Sequence, residues 1–257
     1  MIINVNPVAF SIGPLDVAWY GITIAVAVVV LVAWTLRGIK REPALSADTV
    51  INATMLAIPF ALVVSRLLHV MDQWGYYGQH PAEIIGGSGL TIWGAILGAT
   101  LGVWVYSRIH PFPFARLTDI AAPGIILAQA IGRVGCLLNG CCYGLETSAF
   151  CGIIYVNPGS YGPIGVAVHP TQVYEIFFNF AVFLVLLRLR DRLKPDGALF
   201  LIYLSLYSSW RIGIGFLREN TALLFGLNEA QIIGFVILGI AIPVLAARAR
   251  WTGRVQG

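Results

Sequence analysis

The stretch VAWYGITIAVAVVVLVAWTLRGIKR, residues 17–41, decides the fold class. From Val17 to Leu36 it carries no charge, and it then closes on Arg37, Lys40 and Arg41. A helix needs roughly 20 mostly apolar residues to cross the hydrocarbon layer of a bilayer. Lys and Arg are retained on the cytoplasmic side. The stretch therefore reads as a spanning helix whose C-terminal end lies inside. It is long for the apolar region of a cleavable signal, and no small-residue cleavage site follows it.

The same pattern recurs along the chain. Apolar segments fall at about 17–36, 48–70, 90–107, 117–135, 172–188, 198–217 and 230–247, and basic residues follow the first, third, fifth and seventh. The expectation is an all-α polytopic membrane protein with seven transmembrane helices, its N-terminus outside and its C-terminus cytoplasmic. Of the 257 residues 58% are hydrophobic and 11% charged, against about 25% charged in a soluble domain. The net charge of +4 belongs to the cytoplasmic loops. No patch interleaves aromatic with basic residues, so nucleic acid is not an expected partner. No internal repeat is visible, which leaves a transporter built on inverted repeats with little support.

The whole of 1–257 is expected to be one membrane-embedded domain, with a small extracytoplasmic cap at 136–171. The cap is rich in Gly and Pro; residues 152–156 read as a strand and Asn157-Pro158-Gly159 as a turn. Residues 1–16 read as a short segment lying on the outer membrane surface.

Twelve of the sixteen basic residues sit at span ends, where topology accounts for them. Arg66, Arg133, Arg211 and Arg218 lie inside the spans or at their opposite ends. A guanidinium at membrane depth costs at least ~2.5 kcal/mol, so it is paired and often serves function. Arg133 opens the strongest segment, Gly132-Arg133-Val134-Gly135-Cys136-Leu137-Leu138-Asn139-Gly140-Cys141-Cys142-Tyr143-Gly144, where the fourth span ends. Its glycines let the backbone turn sharply and approach a ligand, and a guanidinium grips a phosphate with two parallel hydrogen bonds. The bland alternative is helix packing through small residues, with Arg133 snorkelling to the headgroups.

At this segment the chain resembles the prolipoprotein diacylglyceryl transferase family. The resemblance rests on Gly132-Arg133-x-Gly135 with Asn139, Gly140 and Gly144, and on His169-Pro170-Thr171-Gln172-Val173-Tyr174-Glu175. Weaker matches follow in order: Trp19-Tyr20-Gly21, Arg66, Gly86-Gly87, Gly94 to Gly98, Asp119, Pro123, Arg211, Phe216-Leu217-Arg218 and Gln231. The resemblance implies transfer of the diacylglyceryl group of phosphatidylglycerol to the lipobox cysteine thiol of a prolipoprotein, releasing glycerol phosphate. It implies a multi-pass protein of the bacterial plasma membrane, with its active site toward the outer leaflet. Phosphatidylglycerol, the lipobox peptide and the bilayer are the expected partners, and no cofactor is expected. Arg133 and Arg211 would bind the phosphate and stabilise its growing charge. Tyr20 and Asn139 would orient the glycerol or phosphate, beside Gly144. Arg218 would hold a headgroup at the interface, and Arg66 is carried over as a further substrate-binding residue.

The chain departs from the family's best-known pattern at Trp93, Cys136, Cys141 and Gly215, where histidine, asparagine, glutamate and glutamate are expected. The usual candidates for a general base are thus absent, which leaves Tyr20, Tyr143, His69 and Glu175. An alternative reading is a lipid-binding paralogue of the same fold with lost or altered transfer. Glu175 is expected to pair with a buried arginine, and His169 to cap the fifth span. Among the four cysteines a Cys142–Cys151 disulfide would pin the cap. No metal site is expected, because the spacing lacks paired Cys-x-x-Cys elements.

Overall fold

A computed structural model describes residues 1–13, 15–86, 91–218 and 226–251; the side chains of Leu15, Gly86, Ile92, Trp93 and Trp251 are also not described. Gly87 of the resemblance and Arg254 of the basic tail lie outside the described residues, as does the side chain of Trp93. The long helices are α1 (Trp19–Gly38), α2 (Ala47–Asp72), α5 (Ile92–Ile109), α6 (Phe114–Asn139), α7 (Thr171–Leu189), α8 (Ala198–Gly215) and α9 (Glu229–Arg248). Two one-turn helices, α3 (Trp74–Tyr77) and α4 (Glu83–Gly86), sit between α2 and α5. Among the described residues six helices are long and apolar enough to cross a membrane, and Gly94–Ile109 is a shorter apolar one. The protein is thus mostly helical and polytopic.

Two compact units are present, Met1–Trp34 with Thr118–Gly257, and Thr35–Leu117. In the second, α2 and α5 meet through a stripe of small residues. Gly94, Gly98 and Gly102 recur every four residues on α5. A methyl group at Gly98 would stand 2.8 Å from the Ala61 Cα, and one at Gly102 would stand 2.9 Å from the Ala57 Cα. Helices in lipid associate by such close backbone approach, because burial of apolar surface gives no drive there.

In the first unit α6, α7 and α8 share a core of Ala122, Ile126, Val182, Leu186, Leu199, Tyr203 and Tyr207. The Asp119 carboxylate accepts the N–H groups of Gly197 (2.7 Å) and Phe200 (2.8 Å), a negative charge at the start of α8 where the helix dipole favours it. On α7, Phe178 stacks on Trp210 and Phe183 meets Trp34 edge-on, whereas Phe177 is 72% exposed, as a lipid-facing side chain is. The capping box of Asn228 and Gln231 starts α9, and the Gln231 amide donates to the Ile212 carbonyl of α8.

The cap is a three-stranded sheet of β1 (Ile2–Ile3), β4 (Ile153–Tyr155) and β5 (Ala167–Val168) in the order β1-β4-β5. β4 pairs parallel with β1 and antiparallel with β5, over a core of Ile3, Ile153, Tyr155 and Val168. The expected strand and the turn at Asn157 are both present; the Asn157 side chain accepts the Gly159 N–H. The first residues carry further strands. They form β1 and a hairpin of β2 (Val8–Ile12) and β3 (Leu15–Ala18). β6 (Leu193–Lys194) pairs with β7 (Arg250–Trp251).

Replacing Gly98 by Ala should separate α2 from α5 and cost about 1–3 kcal/mol, read as a lower apparent Tm in detergent. Gly239→Ala, with open space around it, serves as control. Equal Tm for the two variants would show that the glycine stripe is incidental.

Candidate functional site

Helix α6 runs further than the sequence suggests. Gly132 and Gly135 do not break it; α6 continues to Asn139 and stops at Gly140, whose φ is +78°. The Cys141 N–H then returns to the Cys136 carbonyl at 3.1 Å. A left-handed residue followed by this six-to-one bond is the Schellman stop, which satisfies carbonyls the helix end would leave bare. Cys142 follows with φ +64°, a costly conformation for a residue with a Cβ. Its carbonyl is held by the Thr171 hydroxyl (2.6 Å) and Arg218 Nη2 (3.0 Å), and the Cys141 carbonyl by Gln172 Nε2 (2.7 Å). The start of α7 and the end of α8 thus fix the turn.

Beneath it lies a buried charge cluster. Arg133 Nε donates to Glu175 Oε1 at 2.9 Å, Arg211 Nη1 stands 3.8 Å from Oε2, and the Tyr207 hydroxyl donates to Oε1 at 3.2 Å. Glu175 is 1% exposed and Arg211 7%. The expected pairing of Glu175 with a buried arginine is present twice over. Several buried polar atoms nearby on the same helices make no hydrogen bond: Arg211 Nε and Nη1, both amide atoms of Asn179, and Gln129 Oε1. Buried polar atoms are nearly always satisfied, which sets these atoms apart from the rest of the core. Asn179 and Tyr207 were not signalled as site residues, although Asn179 follows Glu175 by four positions and so shares its helix face.

The other expected residues divide. Tyr20, in the first turn of α1, lies within electrostatic reach of Arg133 and of the Cys136, Cys141 and Cys142 thiols. Asn139 ends α6 and its carbonyl accepts the Tyr161 N–H. Gly144 is a packing junction: its N–H bonds the His169 carbonyl, and a Cβ there would stand 2.6 Å from the Leu217 carbonyl. Arg218 spans from α8 to the Cys142 carbonyl. Arg66 belongs to the unit 35–117, where its guanidinium donates to the carbonyls of Ile84 (2.8 Å) and Glu83 (2.5 Å) and lies over the Tyr77 ring.

Two expectations fail. His169 does not cap α7: Pro170 occupies the N-cap with no side-chain bond, and the His169 ring meets the Tyr174 hydroxyl at 3.3 Å. All four cysteines are free, so no Cys142–Cys151 bridge forms. Cys151 Sγ lies 3.2 Å from the Tyr174 hydroxyl, while Cys142 turns toward Cys136 and Cys141, the three sulfurs lying within 4.8 Å of one another. Hydrogen bonds from the other two thiols, with Arg218 and Arg133 nearby, hold the Cys142 thiol well below the usual range. Burial pushes the Tyr155 phenol up. Of the expected bases, Glu175 is engaged by two guanidiniums, Tyr143 packs on the cap core, and His69 meets the Tyr77 ring edge-on. The space at Gly215 is taken by Gln231, whose Cγ would stand 2.9 Å from a Cβ there.

Comparison with known proteins gives one family, prolipoprotein diacylglyceryl transferase, which matches residues 7–247. A phosphatidylglycerol–prolipoprotein diacylglyceryl transferase of Dehalococcoides mccartyi is 52% identical over 248 residues, 96% of this chain and 95% of that one. Relatives of the same name from Bacillus licheniformis and Clostridioides difficile are 37% and 35% identical, covering 97% and 89% of this chain and 94% and 90% of their own lengths.

Removing the charge of Glu175 leaves two buried guanidiniums without their counter-ion, a loss of about 3–5 kcal/mol. Tyr207→Phe removes one donor to a charged acceptor, about 1.5–3 kcal/mol. The apparent Tm should therefore fall further for Glu175→Gln than for Tyr207→Phe; the reverse order would remove Glu175 from the centre of the cluster.

Proposed function

Since the chain belongs to the prolipoprotein diacylglyceryl transferase family, we propose that it moves the diacylglyceryl group of phosphatidylglycerol onto the lipobox cysteine thiol of prolipoproteins. A C–S bond forms at the glyceryl carbon, the C–O bond to phosphate breaks, and glycerol phosphate leaves with the bonding electron pair. The observation that carries this reading is the pair Arg133 and Arg211, buried on one carboxylate, with Arg211 Nε and Nη1 making no hydrogen bond. A phosphate fits such a pair, because its oxygens accept from both guanidinium edges. Negative charge builds on that phosphate as the C–O bond breaks, and fixed cations in a dry site stabilise it more than water would.

In this reading Arg133 and Arg211 are the phosphate clamp. Tyr20 and Asn139 orient the glycerol backbone, Gly144 keeps the turn closed against α7, and Arg218 meets the headgroup at the rim. Arg66 is assigned to holding its own loop. The protein spans the bacterial plasma membrane seven times, α5 being the third span, with the N-terminus outside and the C-terminus cytoplasmic. Residues 1–257 act as one membrane-embedded domain, and the cap at 136–171 faces the outer leaflet, where lipid and lipobox peptide arrive. The distribution of basic residues supports this orientation.

Labelled phosphatidylglycerol with a lipobox peptide tests the reading, beside the same peptide with serine for cysteine. Label should pass to the cysteine peptide alone. Lipid binding without transfer would instead favour a paralogue with altered chemistry. Arg133→Ala should lower turnover at least about 100-fold while the protein stays inserted. Arg133→Lys should also fail, since a point charge cannot reproduce the two-pronged contact; full activity of the lysine variant would reduce the clamp to charge alone.

A further inference from the structure

We propose that Cys136, Cys141 and Cys142 form a zinc-binding tripod whose open fourth position takes the acceptor thiol of the incoming peptide. Their sulfurs lie within 4.8 Å of one another. Tetrahedral zinc with bonds near 2.3 Å requires sulfurs about 3.8 Å apart, so no pair needs to close by more than roughly 1 Å, within the reach of side-chain rotation. A donor set of thiols alone is soft and selects zinc over calcium or magnesium. Three protein ligands with one vacancy is the pattern of catalytic rather than structural zinc.

The backbone is shaped for this convergence. The Schellman stop at Gly140 brings Cys141 back over Cys136, and the positive φ of Cys142 turns the third thiol to the same side. That φ costs free energy, and the bonds from Thr171 and Arg218 to its carbonyl maintain it. Strain held in place by its surroundings marks a position with a task. The tripod is graded in exposure, Cys136 buried, Cys141 half-buried and Cys142 exposed, so the vacancy faces the accessible side. Three thiolates and a zinc ion sum to −1, and a fourth thiolate makes −2. Arg133 Nη1, 3.7 Å from Cys136 Sγ, and Arg218 at the Cys142 carbonyl offset that charge.

The chemistry closes without a side-chain base. On coordination the acceptor S–H loses its proton to water and becomes a zinc-bound thiolate. That sulfur attacks the glyceryl carbon, the C–O bond breaks, and the electron pair leaves on the phosphate oxygen held by Arg133 and Arg211. The product thioether is neutral, a weak ligand, and departs. The identity of the fourth ligand rests on the transferase reading; the tripod does not.

The full chain, purified in detergent with reductant, should hold about one zinc per molecule by elemental analysis. Its cobalt(II) form should show sulfur-to-metal charge-transfer absorption, shifted by the cysteine lipobox peptide and unmoved by the serine peptide. Cys136→Ser, Cys141→Ser and Cys142→Ser should each weaken zinc binding at least about 100-fold, and Cys151→Ser should keep it. A zinc-treated wild type holding no more metal than the triple serine variant overturns the tripod, as does a cobalt form without sulfur charge transfer, or a disulfide among the three. Lipid transfer by metal-free protein would likewise sink the zinc and leave the transferase standing. Stoichiometric zinc on thiolates without transfer would do the reverse.

Discussion

A single buried carboxylate, Glu175, has to answer two guanidiniums. Arg133 comes from α6, Arg211 from α8 and Glu175 from α7, so this one group holds three membrane helices in register. It leaves the cluster with a net charge of +1 in a place where charge is expensive. The excess is the reason for the rest of the site. In the proposed reading an anion that enters neutralises it and also meets Arg211 Nε, which makes no hydrogen bond. Under that reading stability and ligand preference have one origin: the cluster is complete enough to fold and incomplete enough to bind.

The turn from Cys136 to Gly144 transmits that arrangement to the surface. It receives Thr171 and Gln172 from the start of α7, Arg218 from beyond α8, and the Gly144 bond to the His169 carbonyl. Gln172 also donates to the Tyr155 hydroxyl of the cap. Helix ends, turn and cap sheet are therefore one hydrogen-bonded network, and the thiols ride on its most constrained part.

The long helices were legible because a bilayer imposes length and apolarity, and because Arg37, Arg108, Arg188 and Arg248 mark helix ends. Arg133 and Arg211 were legible for the same reason in reverse, as charges with no topological excuse. The end of α6 was not, since Gly132 and Gly135 resemble punctuation but lie on a packed face; Gly135 sits against Tyr20 and Thr23. The strand β1 was hidden because it finds its partner only at β4, about 150 positions on. The thiol convergence was hidden too. Residue spacing carries no record of a left-handed glycine followed by a left-handed cysteine, and a disulfide to Cys151 looked as natural as a cluster.

The two compact units differ in how the chain supplies them. Thr35–Leu117 is one continuous run, and its α2–α5 contact through Gly94, Gly98 and Gly102 needs nothing from elsewhere. The other joins Met1–Trp34 to residues after Thr118, and β1 waits for β4. During synthesis the internal hairpin can close as soon as both its helices have entered the bilayer, whereas β1 must wait, unpartnered, until the second half of the chain emerges. The amino-terminal segment is made first and assembled late, so its exposed strand edges are the part of the nascent protein most in need of protection from mispairing.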